Sequence, residues 1–140
     1  MEIVELFSVT KKQVEEFKEL FAELSSEIYV THDILKSAVE SQCTHLFAMI
    51  DGDGKIIGSA TLCIKYLPTG WKADVEAVVV KTGYRRQYLG KQLMEHVIDY
   101  ARKKYGGVNI CLTSHPKRVA ANALYMSLGF KQRETNVYEL

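Results

Sequence analysis

Proline is almost missing from this chain and cysteine is scarce. Pro68 and Pro116 are the only prolines in 140 residues, so there is no proline-rich linker or polyproline recognition segment. The three cysteines, Cys43, Cys63 and Cys111, are odd in number, widely spaced and free of any CxxC pair. That pattern excludes a disulfide framework and a thiolate zinc site, and predicts reduced thiols packed in the core. An excess of one charge is also lacking. Eighteen Lys and Arg against 17 Asp and Glu leave a net charge of +1, which argues against a nucleic-acid partner gripped through a broad basic surface. No window approaches the ~18 apolar residues that a membrane span needs. The start, Met1 to Glu5, lacks the basic-then-apolar order of a signal peptide. A cytoplasmic protein with no membrane partner is expected. None of His32, His45, His96 and His115 has metal-ligand spacing, so no metal is expected.

Nothing in the chain resembles a linker, a repeat or a low-complexity tract, which predicts one domain over residues 1–140. The local patterns give an order of elements. A short strand is expected over 2–7. Thr10 with Gln13 forms a capping-box pattern opening a helix with Val14, Phe17, Leu20, Phe21 and Leu24 on one face. Thr31 is placed to cap a second helix. A strand over 45–50 runs into the hairpin turn Asp51-Gly52-Asp53-Gly54. The next strand, 55–66, alternates so that Ile56, Gly58, Ala60, Leu62, Ile64 and Tyr66 share a face. After Pro68-Thr69-Gly70 a third long strand covers 71–80, with Glu76, Val78 and Val80 on one face. Leu89, Leu93, Val97 and Ala101 repeat at helical spacing up to Gly106-Gly107. Val108 to Thr113 reads as a buried strand, and Pro116 suits the first turn of a last helix ending at Gly129. Phe130 to Leu140 is expected as a strand or very short hairpin. A meander followed by β-α-β predicts an α+β fold, with a mixed central sheet flanked by about four helices.

The most informative stretch is Val78-Val79-Val80-Lys81-Thr82-Gly83-Tyr84-Arg85-Arg86-Gln87-Tyr88-Leu89-Gly90-Lys91. An apolar strand passes through a short basic turn directly into a helix. Free N–H groups and a partial positive charge make such a helix start an anion site. Arg85, Arg86 and Lys91 add side-chain charge, and Gly90 lets the backbone approach a ligand. The chemistry points to phosphate or pyrophosphate. Neither GxGxxG nor GxxxxGK[ST] occurs, so dinucleotide and nucleoside-triphosphate loops are poorly supported.

Two segments resemble the GCN5-related N-acetyltransferase (GNAT) superfamily. One is Arg85-Arg86-Gln87-Tyr88-Leu89-Gly90, against the acetyl-CoA loop pattern [Q/R]-x-x-G-x-[G/A]. The other is Leu124-Tyr125-Met126-Ser127-Leu128-Gly129-Phe130, against L-Y-x-x-x-G-F. Tyr88 departs from the pattern's central glycine, and Arg86 stands where a glycine often follows the first arginine. The resemblance implies a splayed mixed sheet and direct attack of an amine on the acetyl-CoA thioester, with acetyl-CoA as co-substrate. It implies that Val78, Val79 and Val80 offer backbone groups to the pantetheine arm, beside a β-bulge. Arg85, Arg86, Gln87, Tyr88, Leu89, Gly90 and Lys91 would hold the pyrophosphate. Tyr125 would protonate the departing thiolate, Asn122 would bond the pantetheine amides, and Glu76 would draw a proton from the incoming ammonium. His115 and His32 are rivals for that base. The acceptor would be a small-molecule or protein amine, chosen by residues 25–33, the loop around Leu67 to Gly70 and the C-terminal segment, with Tyr29, Thr31 and Trp71 as candidates. A non-catalytic acyl-CoA-binding or regulatory module on the same fold is the alternative, and a site for another anion is a third reading. Asn136 to Leu140 would complete the sheet or pair with another copy, which leaves a homodimer open.

Overall fold

A computed structural model describes all 140 residues. The elements run β1 (Glu2–Leu6), α1 (Lys11–Ala22), α2 (His32–Glu40), β2 (Thr44–Ile50), β3 (Ile56–Leu67) and β4 (Gly70–Val80). A single 3-10 turn (Thr82–Tyr84) follows, then α3 (Leu89–Tyr105), β5 (Asn109–Leu112) and α4 (Val119–Ser127). The five strands form one sheet in sequence order, antiparallel from β1 to β4 and parallel between β4 and β5.

Local chemistry sets the ends of these elements. At α1 the Thr10 hydroxyl accepts the Gln13 N–H, and the Gln13 side chain accepts the Thr10 N–H in return. Thr31 caps α2 by accepting the Ile34 N–H at 3.1 Å, so its role is structural. In the β2–β3 turn Asp51 Oδ1 accepts the N–H groups of Asp53 and Lys55. Its Oδ2 accepts the Tyr84 hydroxyl at 2.9 Å, tying the hairpin to the basic turn. These contacts hold the Asp51 carboxyl below its ordinary pKa, with the Lys55 amide the main cause.

Both faces of the sheet are covered. One carries α3 and α4 over a core that includes Phe47, Leu62, Leu93, Met94, Val97 and Tyr125. The other carries α1 and α2 over Phe17, Leu20, Leu46, Ile56 and Val79. Two β-bulges correct the expected alternation. The β2–β3 register shifts between Met49 and Ile50, where Ile57 is the extra residue. Ile56 therefore faces the α1/α2 side, while Ile57 joins the α3/α4 core. The second shift, opposite Ala60, leaves two β4 residues, Ala77 and Val78, against one in β3, and Ala77 takes φ 51°. This bulge separates Glu76 from Val78 and Val80, with which it was expected to share a face. Thr61 pairs with both Leu46 and Glu76, and Leu46 belongs to the α1/α2 core, so Glu76 lies on that side.

Two further expectations fail at the C-terminal end. α4 begins at Val119 after Arg118, so Pro116 lies ahead of the helix in a turn. Residues 130–140 form no strand, which leaves β5 as the sheet's edge. The cysteines are free but half-buried at strands and a strand approach, rather than sealed in the core.

Candidate active site

The site starts from a strand that loses its neighbour. β5 pairs only with Lys72–Val75, so β4 has an unpaired outer edge from Glu76 onward. Lys81 donates its N–H to the Ile57 carbonyl at 2.8 Å. By strand alternation Val79 and Lys81 aim their backbone groups at β3, and Val78 and Val80 aim theirs outward. Val79 is thus removed from the set that can serve an extended ligand by its backbone. The outward carbonyls are held by arginines: Arg118 Nη2 donates to Val78 at 3.1 Å and Arg85 Nε to Val80 at 3.0 Å.

The basic turn lies at the end of this edge. Arg86 and Tyr88 both occupy the left-handed region, at φ 66° and 58°. The family pattern has glycine at those two places, and the backbone here takes the glycine-like course despite the side chains. The Tyr88 ring points into solvent and is 79% exposed, so it does not pack against the turn. Tyr88 is the N-cap of α3, and the first bond of that helix runs from the Gln92 N–H to the Tyr88 carbonyl at 3.0 Å. The amides of Leu89, Gly90 and Lys91 are left without helical acceptors, as an anion site requires. Gly90 has a second reason to be small, because an added Cβ would stand 3.3 Å from the Leu124 side chain on α4.

The cations divide into two sets. Arg85 pairs with Glu23 at 3.3 Å, and the same carboxylate accepts the Thr82 N–H and hydroxyl at 2.9 and 2.8 Å. Lys81 pairs with Glu19 at 3.2 Å. These contacts from α1 hold the turn in shape and occupy two of its charges. Arg86 and Gln87 are exposed, and Lys91 makes only a 3.9 Å contact with Glu95. Glu23 was absent from the expected set; no local pattern joins residues 59 positions apart.

Tyr125 sits on α4 beneath the sheet, 5% exposed, with its ring edge-on to Phe130 at 6.1 Å. Burial pushes its hydroxyl above the ordinary tyrosine pKa, and the neighbouring Arg118 guanidinium pulls the other way. Asn122 donates to the His115 carbonyl at 3.1 Å, which fastens the β5–α4 loop. His115 is exposed and accepts the Lys117 N–H. The Ser114 hydroxyl in the same loop is buried without a partner.

Glu76 is exposed on the face that carries α1 and α2. Its carboxylate therefore has direct access to water. His32 opens α2 and lies 3.3 Å from the Val9 carbonyl. Tyr29 is 80% exposed in the α1–α2 connection, and Trp71 stacks edge-on with Tyr66 at 4.8 Å at the tip of the β3–β4 hairpin. His45 is buried away from all of these. It bonds Glu5 at 2.7 Å and also the hydroxyls of Tyr100 and Tyr105, and burial pushes Tyr105 up to about 12.

Comparison with known proteins agrees with this arrangement. The sequence profile of the acetyltransferase (GNAT) family matches residues 6–130. The [ribosomal protein bS18]-alanine N-acetyltransferase of Escherichia coli K12 is 42% identical over 61 residues, which span 44% of this chain and 40% of that enzyme's length. An acetyltransferase from Trypanosoma brucei is 25% identical, with a TM-score of 0.75 over 99% of this chain and 97% of that one. Glucosamine-6-phosphate N-acetyltransferase from Arabidopsis thaliana, 21% identical, shares the fold at a TM-score of 0.79, with 99% and 97% covered. With the profile spanning 6–130, the splayed β4 edge, the basic turn and the tyrosine helix fall into one frame: the chain belongs to the acetyltransferase (GNAT) family.

Proposed function

We infer that this protein is an acetyl-CoA-dependent N-acetyltransferase acting on a primary amine, with Tyr125 as general acid. The observation that carries the reading is continuous in space. The open backbone edge at Val78 and Val80 leads into a turn with unpaired amides at Leu89, Gly90 and Lys91. An extended amide-bearing arm ending in a pyrophosphate matches that sequence of groups, and the exposed Arg86 and Lys91 suit its phosphates. Bound acetyl-CoA would supply the activated acyl group.

The chain's own residues would do the rest by placement. The outward N–H of Val78, beside the bulge, would hold the acyl oxygen, an oxyanion-hole role typically worth ~3 kcal/mol. Val80 would pair with the arm, and the amides of residues 89–91 would fix the far end. Tyr125, buried and protonated at neutral pH, would give its proton to the departing sulfur. Glu76 lies exposed on the α1/α2 side, where it would take the ammonium proton through water. Tyr29, Tyr66 and Trp71 offer exposed aromatic surface for the acceptor. The Escherichia coli relative, named for an alanine of a ribosomal protein, makes a protein α-amine one acceptor class to test beside small amines. No helix is long and apolar enough to cross a membrane, and a cytoplasmic site of action fits this chemistry.

Calorimetric titration with acetyl-CoA, CoA and dephospho-CoA tests the cofactor site, and an acceptor screen by free-thiol release tests the reaction. Saturable acetyl-CoA binding that weakens without the 3′-phosphate is expected. Absence of binding at millimolar ligand would end the acetyltransferase reading. Binding with no thiol release from any amine would favour the non-catalytic module.

A further inference from the structure

Two parts of this fold are left without partners, and they complement each other. β5 has a neighbour on one side only, and no backbone hydrogen bond reaches its outer edge. Arginines cap the open carbonyls of β4, but nothing caps this edge. A bare strand edge is a template for pairing with another extended segment. Residues 131–140 are the second part. The Phe130 N–H donates to the Tyr125 carbonyl at 3.0 Å, and no residue after Phe130 makes a backbone hydrogen bond. Val137 and Tyr138 are strand formers, yet they are 79% and 87% exposed.

A groove of about 960 Å³ separates the two. Ile110 and Leu112 of β5 line one wall, and the start of the segment lines another. The charged residues lining it are Arg102, Lys131 and Arg133, with no carboxylate, so the groove is positive. Asn136 to Leu140 carries one charged side chain, Glu139, and is negative. In an extended conformation Tyr138 and Leu140 share one face and Val137 and Glu139 the other. Ile110 and Leu112 pack with the α3/α4 core, so a strand added beside them can continue that apolar layer with Tyr138 and Leu140. The exposed Met126 of α4 lines the same groove and would be covered. Within one molecule the segment is held at its start by the Phe130 bond, and β5 stays unpaired.

We propose that β5 and residues 136–140 form the interface between two copies of this chain, each copy lending that segment as an added strand to the β5 edge of the other. Two-fold symmetry makes the exchange twice, so both edges and both segments are paired. Tyr125 lines the same groove, so the arriving strand would also wall the reaction site. The assembly itself does not depend on the acetyltransferase reading.

Sedimentation velocity of the full chain should show a dimer at about 100 µM that dissociates on dilution. Ending the chain at Thr135 should give a monomer. Tyr138→Asp changes a side chain that one copy leaves exposed, and should weaken the dimer at least about tenfold. If the shortened chain does not fold, Tyr138→Asp decides. Val137 and Glu139 would share a face with Cys111, so Val137→Cys and Glu139→Cys, made separately, test the pairing directly. Under mild oxidation at least one should give a reducible covalent dimer that Cys111→Ser abolishes. A monomeric wild type at that concentration overturns the proposal, as does a dimer that Tyr138→Asp leaves at full strength. A disulfide to Cys111 within one chain overturns it too, because the segment would then close on its own sheet.

Discussion

Tyr88→Gly should stabilise this protein, although it removes a large side chain. Tyr88 holds φ 58° and ψ 17°, a conformation that costs an L-residue with a Cβ roughly 1–2 kcal/mol. Its ring is 79% exposed, so removing it forfeits little packing. Glycine relieves the strain but loses more chain entropy on folding, roughly 0.5–1 kcal/mol. The balance is a gain of about 0.5–1 kcal/mol, or an increase in Tm of about 2–4 °C. Tyr88→Ala is the informative partner, because it deletes the ring and keeps the Cβ. Thermal unfolding followed by circular dichroism should therefore rank Tyr88→Gly above wild type and Tyr88→Ala level with it or below. Equal gains for both variants would show that the ring, not the backbone, carries the cost. A fall in Tm for the glycine variant would refute the strain argument. Acetyl-CoA titration of the same proteins separates a further effect: if the phenol crowds the phosphates, affinity should improve in both variants.

Other perturbations follow from named contacts. Glu23→Ala removes the acceptor of the Thr82 N–H, the Thr82 hydroxyl and Arg85, and should weaken acetyl-CoA binding in calorimetry by loosening the turn. Tyr100→Phe strips a hydroxyl that donates to Glu5 at 2.7 Å beside buried His45, and should cost about 1–3 kcal/mol in urea unfolding. Leu93→Ala, at a fully buried site under the sheet, should cost about 2–5 kcal/mol by the same method. Asp51 has a folded pKa below its ordinary 3.8, so its contribution is complete above that value and is lost as pH falls through the lower folded pKa. Tm measured across pH 3 to 6 should accordingly drop more steeply at the acid end for wild type than for Asp51→Asn.

Much of this architecture could be read from short-range patterns. The Thr10 capping box, the Thr31 cap, the Asp51 turn and the apolar stripe of α3 each depend on residues within a few positions, where chemistry and geometry coincide. The β3 bulge could not be read and the β4 bulge was implied only by the family resemblance, because Ile56-Ile57 and Ala77-Val78-Val79-Val80 are apolar throughout and alternation carries no register through them. Misjudging that register placed Glu76 on the wrong face. The basic turn was legible as an anion site, but Glu23 and Arg118 were not: their partners lie 59 and 40 positions away along the chain. Nor was the failure of residues 130–140 to form a strand. Phe130, Val137 and Tyr138 are strand formers, yet pairing depends on a neighbour that composition does not specify.

The two arginines on the outer edge of β4 also bear on solubility. An unpaired strand edge is a template on which any extended chain can add, and native sheets protect such edges with charge, bends or covers. Here the carbonyls of Val78 and Val80, the two outward acceptors beyond β5, are capped by guanidinium groups of the same chain. A sticky edge has thereby become a guarded one. A slender ligand that brings its own amide donors and phosphates can trade places with side chains that swing aside. A second polypeptide strand must bring its full backbone past two positive charges. Replacing both arginines with small neutral residues should thus expose the edge to self-association, whatever it does to catalysis.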